Sequence, residues 1–516
     1  MKPRLSRCVV IRCFSQGLTF NLLALACTAT YPLQAQSTNE GTLSQQVQQL
    51  TDAMARTQKQ LEQSQRQLKE MQQQLTTLQQ QMAKEHAGTA SLNETRQSDE
   101  ERLATQVNDL REQEAMQASQ IATQAQSKVE SESKYPVKLT GLILLNGFVN
   151  TQKVDMAATP TVALPGDGST GATLRQTILG IDARGPHIFG ANSYADVYAD
   201  FYGNAPSGIY VGGYSSVGLF RLRTIHAEMD WAHTQAFFSL DRSIINSNMP
   251  SSLTAVAIPE LAWSGNLWNW NPQAGVIQAV PFSSFQQLRM QAALIDASDA
   301  PIVFASPSAI IPGAPPPSTA ENSRWPGVEA RLSLWNTQQK NSGEFGVGGF
   351  FAPHRIYGGI HFDAWAATLD YRQTLPEHME LSGNVYRGLG LGGLGGGAYK
   401  DYVYRPESDD PGEFYFRALD DVGGWVQLKQ RTGQRLEFNA AFGMDNVPAG
   451  QVRPYATISD SFYQDLARNR TFTGNVIYSP SAYLLFSLEY RLLASSFINS
   501  PTSTSNIIGI AAGYKF

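Results

Sequence analysis

The sequence predicts an all-β transmembrane barrel of about 16 antiparallel strands, preceded by an N-terminal α-helical coiled coil. Three observations carry this. First, composition divides sharply at Tyr135. Of the 52 aromatic residues only Phe14, Phe20 and Tyr31 come earlier, and of the 43 glycines only Gly17, Gly41 and Gly88. Second, the apolar period changes from 3.5 residues before that point to 2 after it, which separates a helical rod from strands. Third, the chain stops on an alternating apolar run, Ile508, Ile510, Ala512, Tyr514 and Phe516.

After Leu22–Ala26 nothing approaches the roughly 18 apolar residues of a membrane helix, so a multi-span helical protein is excluded. A net charge of −5 leaves no basic footprint for nucleic acid. The domain reading is therefore 1–35 signal peptide, 36–134 periplasmic coiled coil and helical linker, and 135–516 outer-membrane barrel.

The N-terminus reads as an export signal. Lys2, Arg4, Arg7 and Arg12 precede a short apolar run, Gly17–Ala29, and Leu33-Gln34-Ala35 resembles a small-residue cleavage site. A lipidated Cys27 is the competing reading, but Ala24 stands where such sites usually carry leucine. Cys8, Cys13 and Cys27 all precede the cut, so disulfide and thiolate chemistry are not expected in the mature chain.

From Leu43 the heptad is unbroken. Its a positions are Val47, Met54, Leu61, Leu68, Leu75 and Met82, and its d positions are Leu43, Leu50, Thr57, Ser64, Met71 and Leu78. An a/d-only stripe is too narrow to pack on a globular core and forms a coiled-coil seam instead. Leucine at a leans towards three or more strands, and the Gln-rich outer faces add little ion pairing. Gly88 ends the rod. A weaker helical stripe follows to Val129, and Ser131-Glu132-Ser133 forms the hinge.

The strands show period-two alternation. Val328, Ala330, Leu332 and Leu334 oppose Glu329, Arg331 and Ser333; Leu484 to Leu492 oppose Ser487, Glu489 and Arg491; Leu288 to Leu294 oppose Gln287, Arg289 and Gln291. Tyr194–Tyr202 sets Asp196 and Asp200 on its polar face, and Leu436–Met444 does the same with Glu437. Runs of about nine residues, joined alternately by short turns and long Gly/Pro-rich loops, suit a membrane barrel better than a soluble sandwich. Turns are expected at Asn336–Ser342, Thr374–Glu377, Arg431–Gln434 and Ser479–Ser481. Long loops are expected at Pro301–Gly327 and Gly388–Gly412. An apolar terminal edge would invite aggregation in a soluble protein. Here it resembles the C-terminal signal read by the barrel-assembly machinery, with Tyr514 and Phe516 as its aromatics.

Arg289, Arg331 and Arg491, with Asp196, Asp200 and Glu329, are the pore-lining candidates, weighed against cross-barrel ion pairs. If two of the arginines meet at a constriction, the pore favours anions. Arg221 and Arg223 share parity with apolar Ile225, Ala227 and Met229, so either a bulge intervenes or they lie outside the apolar band. Trp263, Trp268 and Trp270 read first as interface-girdle aromatics. The alternative is that Ile244–Gln278 folds inward as a constriction loop. The acidic cluster Glu407, Asp409, Asp410 and Glu413 reads as a solvated external loop. No thiol site, HExxH, His-x-His or phosphate-binding loop is present, so no catalytic, cofactor or metal site is expected.

The order of parts resembles the DcaP-like trimeric outer-membrane porins, relatives of the phosphate-selective O/P porins. Val137–Phe148 is similar to their first strand. Arg175-Gln176 with Leu179-Gly180 resembles their RQSRLG segment, though Ile178 takes the place of a family arginine. Asp200-Phe201-Tyr202-Gly203, Arg221-Leu222-Arg223 and Pro272-Gln273 match further phrases, and through them Arg175, Arg221 and Arg223 join the pore candidates. The resemblance implies a homotrimer in outer-membrane lipid that passes small, often anionic solutes. The alternative is a structural anchor whose coiled coil binds peptidoglycan. A trimeric adhesin, with few strands per chain, fits poorly.

Overall fold

A computed structural model describes residues 73, 77, 136–203, 218–302, 317–338, 342–356, 359–406, 414–456 and 462–516. The signal peptide, nearly all of the heptad rod, the hinge and the acidic cluster at Glu407–Glu413 lie outside the described residues. Gln73 and Thr77 are helical.

The strands are β1 (Val137–Val154), β2 (Ala163–Thr173), β3 (Ile178–Ile188), β4 (Ala191–Gly203), β5 (Leu219–Asp230), β6 (Thr234–Arg242), β7 (Trp270–Pro281), β8 (Gln286–Ile295), β9 (Gly327–Asn336) and β10 (Gly343–Arg355). They continue with β11 (His361–Leu375), β12 (Met379–Leu389), β13 (Tyr402–Pro406), β14 (Phe414–Ala418), β15 (Asp420–Thr432), β16 (Leu436–Asn446), β17 (Leu466–Tyr478), β18 (Leu484–Phe497) and β19 (Ser503–Lys515). Each wall strand is antiparallel to its neighbours, and β1 pairs with β19 from Leu142↔Lys515 to Asn150↔Ile507, which closes the sheet.

The upper half of β1 pairs with β2 (Asn146↔Thr173) and its lower half with β3 (Leu142↔Ile178). These two therefore act as one strand interrupted at Leu174–Thr177, and the wall has 16 strands. β13 and β14 form a separate hairpin within the connection from β12 to β15, where the sequence predicted only an open loop.

Side-chain alternation sorts the two faces. In β18, Ser487, Glu489 and Arg491 are buried, whereas Phe486, Leu488 and Tyr490 are exposed. In β9, Glu329, Arg331 and Ser333 are buried and Val328, Leu332 and Leu334 exposed. The outer face is apolar on strand after strand, and Leu488 and Ile510 are each 57% exposed. So large an exposed apolar surface suits hydrocarbon, where a closed barrel satisfies every backbone group between strands.

One end of the barrel carries short connections. Gly433, for example, turns β15 into β16 with φ +65°, a conformation that a side chain disfavours. The opposite end carries the long loops, which marks it as extracellular in such barrels. Phe516 closes the seam at the short-turn end. Its N–H donates to the Gly141 carbonyl and the Gly141 N–H donates back, both at 3.1 Å. The Phe516 ring covers Gly141 so closely that a Cβ there would lie 2.5 Å from it.

Candidate pore constriction

The connection between β6 and β7, residues 243–269, turns inward instead of standing above the rim. Its path is fixed by polar side chains on the inner wall. The Ser247 hydroxyl donates to Asp370 of β11 at 2.9 Å, and the Thr368 hydroxyl donates to the Ile245 carbonyl at 3.0 Å. Further along, the Ser251 N–H donates to Gln427 of β15 (2.6 Å), and Asn475 of β17 donates to the Ser251 carbonyl (2.8 Å). The Ser252 and Thr254 hydroxyls donate to Glu489 of β18 (2.6 and 2.5 Å), and Asn146 of β1 donates to the Leu253 carbonyl (2.8 Å).

Gln176, in the break between β2 and β3, both donates to the Thr254 carbonyl (2.9 Å) and accepts from the N–H groups of Val256 and Ala257 (2.8 and 3.0 Å). Irregular backbone at membrane depth is tolerated where protein satisfies it, and these side chains do that.

The loop passes close to a group of arginines. The register slips between Tyr198↔Thr224 and Ala199↔Leu222, leaving Arg223 as the extra residue of a bulge in β5. A bulge re-aims side chains and breaks parity. It turns Arg221 and Arg223 to the same carboxylate, Asp200, with Nη–O distances of 2.6 and 2.8 Å. The bulge reading is thus the one observed, and placement outside the apolar band is not needed.

Asp200 is fully buried, while Arg221 and Arg223 keep 25% and 11% of their side-chain surface. Two guanidinium groups against one shared carboxylate leave excess positive charge. Arg221 also donates to the Ala257 carbonyl (2.7 Å) and Arg223 to the Val256 carbonyl (3.0 Å). Trp270 lies beneath both guanidinium groups, at 5.1 and 4.8 Å. Arg175 completes the group, 4.5 Å over the Tyr202 ring, and donates to the carbonyls of Phe201 and Gly203 (3.2 and 3.1 Å).

The other candidates are dispersed. Arg331 donates to both oxygens of Asp370 (2.9 and 2.6 Å) and pairs with Glu344 (2.7 Å). Arg491 pairs with Glu260 of the inward loop (2.6 Å) and with Glu489 (2.7 Å). Arg289 lies 4.5 Å over Trp335, and its register partners are Ala279 and Ser333. Glu329 accepts a hydrogen bond from Ser243 at the start of the inward loop. Asp196 faces His226 across the β4–β5 pair. Arg289 and Arg331 are charged neighbours that share Glu344, Arg491 lies with Glu260 and Glu489, and a separate group, Arg175, Arg221 and Arg223, gathers around Asp200 and Tyr202.

The tryptophans correct the girdle reading. Trp263 and Trp268 are buried, and Trp263 stacks on Tyr399 at 4.1 Å. Tyr399 belongs to the connection between β12 and β15, which packs onto the inward loop; Asn269 donates to the Gly393 carbonyl at 3.1 Å. Lys400 and Asp401 hold this second loop. The Lys400 ammonium donates to the carbonyls of Ala398, Tyr463 and Leu466 at 3.0, 3.0 and 2.6 Å. Asp401 accepts from the N–H groups of Gly392, Gly393 and Ala300 at 2.7, 3.2 and 3.2 Å. Burial pushes the Asp401 carboxyl up to about 7 and the Lys400 amine down to about 7. Lys400 and Asp401 were absent from the sequence reading, and Gln176 and Tyr202 entered it only within family-like phrases and the alternating segment Tyr194–Tyr202, without a role. Lys400 and Asp401 belong to no alternating polar face that would single them out.

No family model matches the chain, and no curated protein does. Solved structures do. The outer membrane channel DcaP of Acinetobacter baumannii aligns over 75% of this chain and 99% of its own, with 16% identity and a TM-score of 0.54. An anion-selective porin from Comamonas acidovorans aligns over 74% and 100% (11% identity, TM-score 0.44), and Pseudomonas putida OprB over 74% and 94% (8%, TM-score 0.42). At these identities the likeness to DcaP concerns architecture, and on that ground the chain has the barrel fold of the DcaP outer-membrane channel.

Proposed function

We propose that the protein is a passive outer-membrane diffusion channel for small hydrophilic solutes, with a preference for anions set by Arg175, Arg221 and Arg223. The observation that carries this is the inward loop at residues 243–269 running beside two partly accessible guanidinium groups that share one carboxylate. Charge selection in a pore depends on unneutralised charge at the narrow part. Arg331 and Arg491 each face two carboxylates and supply none, so the anion preference shifts away from them.

In this reading the mature chain is a homotrimer held in part by the periplasmic rod, and Phe516 with Tyr514 is the signal for the barrel-assembly machinery. The test is a reversal-potential measurement on single channels in a salt gradient. Wild type is expected to favour anions, and Arg221→Ala with Arg223→Ala is expected to move the potential towards cation preference. A channel that favours cations and is unmoved by the double substitution removes the selectivity. Absence of conductance in planar bilayers removes the channel and favours a structural anchor.

A further inference from the structure

Three arginines inside the barrel meet carboxylates: Arg221, Arg331 and Arg491 each lie 2.6 Å from one. Two arginines on the outside do not. In β17, Asn469, Thr471, Thr473 and Asn475 are buried on the inner face, which sends Arg468, Arg470 and Phe472 outward. Arg470 sits between Met444 of β16 and Ala494 of β18, and Arg468 between Asn446 and Ser496. The Arg468 Nε donates to the Asn446 Oδ1 at 2.6 Å. The Arg470 Nε is buried and makes no hydrogen bond among the described residues, and neither arginine forms an ion pair among them.

Their height is set by the neighbouring strands. Directly below them the outer face is hydrocarbon-compatible, with Phe472, Leu492, Ile508 and Val149 on β17, β18, β19 and β1. Level with them it turns polar, with Ser496 paired to Arg468 and Thr504 in the row of Arg470, and the change begins one pair lower at Asn506 and Thr151 beside Leu492. Lys153 follows on β1, exposed on the outward face. Thr504 pairs with Ala494 and Ala494 with Arg470, so Lys153 stands about three strands, roughly 14 Å, from Arg470 along the same row. This border lies at the long-loop end, which is the level of the outer-leaflet headgroups.

We propose that Arg468 and Arg470, with Lys153 at its edge, form a docking site on the barrel wall for the phosphate of an outer-leaflet lipid. The inference rests on the outer-membrane placement above. Charge complementarity carries it: two guanidinium groups two residues apart project from one strand face, without acidic partners among the described residues, at headgroup depth. A guanidinium fork matches phosphate oxygens in pairs, and an ammonium adds a point charge. A solvated rim would leave the Arg470 Nε open to water, whereas here it is covered by its neighbours and only the terminal nitrogens can reach an anion.

The test uses the full chain, purified from outer membranes and reconstituted in phosphatidylethanolamine nanodiscs. The nanodiscs contain either bisphosphorylated lipid A or the same lipid stripped of its phosphates, and bound lipid per barrel is read by native mass spectrometry. Wild type is expected to retain the phosphorylated lipid in preference. Arg468→Gln with Arg470→Gln should lower that retention roughly thirtyfold, equivalent to about 2 kcal/mol for two basic residues near a charged surface. Arg468→Lys with Arg470→Lys should retain most of it, which keeps the test informative if the glutamine pair folds poorly.

Equal retention of both lipids by wild type overturns the proposal. So does wild-type retention by the glutamine pair, or a glutamine pair that falls to monomers with retention unchanged, which would make the patch a contact between copies. Conductance on the same samples separates the two readings: lipid retention without conductance removes the channel and leaves the lipid site.

Discussion

Arg331 and Arg221 lie on the same inner wall and are both held at 2.6 Å by aspartate, yet they have different roles. Arg331 keeps 2% of its side-chain surface and faces Asp370 and Glu344, so its charge is spent within the wall. Arg331→Ala leaves the buried Asp370 and the partly buried Glu344 without their cation. It should destabilise the barrel by about 3–5 kcal/mol, while the reversal potential stays near that of wild type. Denaturant unfolding and single-channel recordings on the same variant check both halves.

Asp401 offers a pH test at the same scale. Its folded pKa is raised from 3.8 to about 7 by burial, so between those values the docked loop binds a proton that the released loop does not. Docking therefore gains stability as pH falls through that window and loses it as pH rises towards 7. The protection factors of the Gly392 and Gly393 amides, taken relative to intrinsic exchange at each pH, should be larger at pH 5 than at pH 7, and Asp401→Asn should remove that difference.

At the scale of the element, the loop at 243–269 explains much of the inner wall's composition. Asn146, Gln176, Gln427, Asn475 and Glu489 sit on five parts of the wall, and each bonds to this one segment. A polar inner face in a barrel is usually attributed to water. Here a large share of it satisfies backbone and hydroxyl groups of the loop. Replacing residues 247–262 by a flexible Gly/Ser linker of equal length is therefore expected to raise single-channel conductance and weaken anion preference, because the arginines lose Val256 and Ala257 as anchors. Conductance equal to wild type would show that this loop does not set the narrow part. The bulge at Arg223 belongs to the same scale: one extra residue in β5 converts an outward position into one that reaches Asp200.

For the whole molecule, the barrel closes on its own through the β1–β19 pairing and the Phe516–Gly141 hydrogen bonds. Closure of the barrel therefore leaves assembly as the role we propose for the heptad segment. We expect purified mature protein to be trimeric in detergent, and deletion of Thr42–Glu85 to weaken the trimer without unfolding the barrel. Analytical ultracentrifugation and heat-modifiable mobility check these outcomes separately. A full-length protein that is monomeric at every concentration tested refutes the rod's role.

The alternation of Glu329, Arg331 and Ser333 with Val328, Ala330 and Leu332 was readable in the sequence, because a strand's facing repeats every two residues. The same rule flagged Arg221 and Arg223 as out of parity, while the count of about 16 strands came from length, at roughly 24 residues per strand and loop. It could not say that Arg331 would be neutralised by Asp370, 39 residues away, or that Arg491 would meet Glu260, 231 residues away. It likewise could not send Trp263 to Tyr399 instead of to an interface girdle.

Facing is a local property of the backbone, fixed within each strand. Which charges cancel, and where a 27-residue loop lies, depend on strands brought opposite one another only when the sheet closes, and the order of the sequence does not encode those distances.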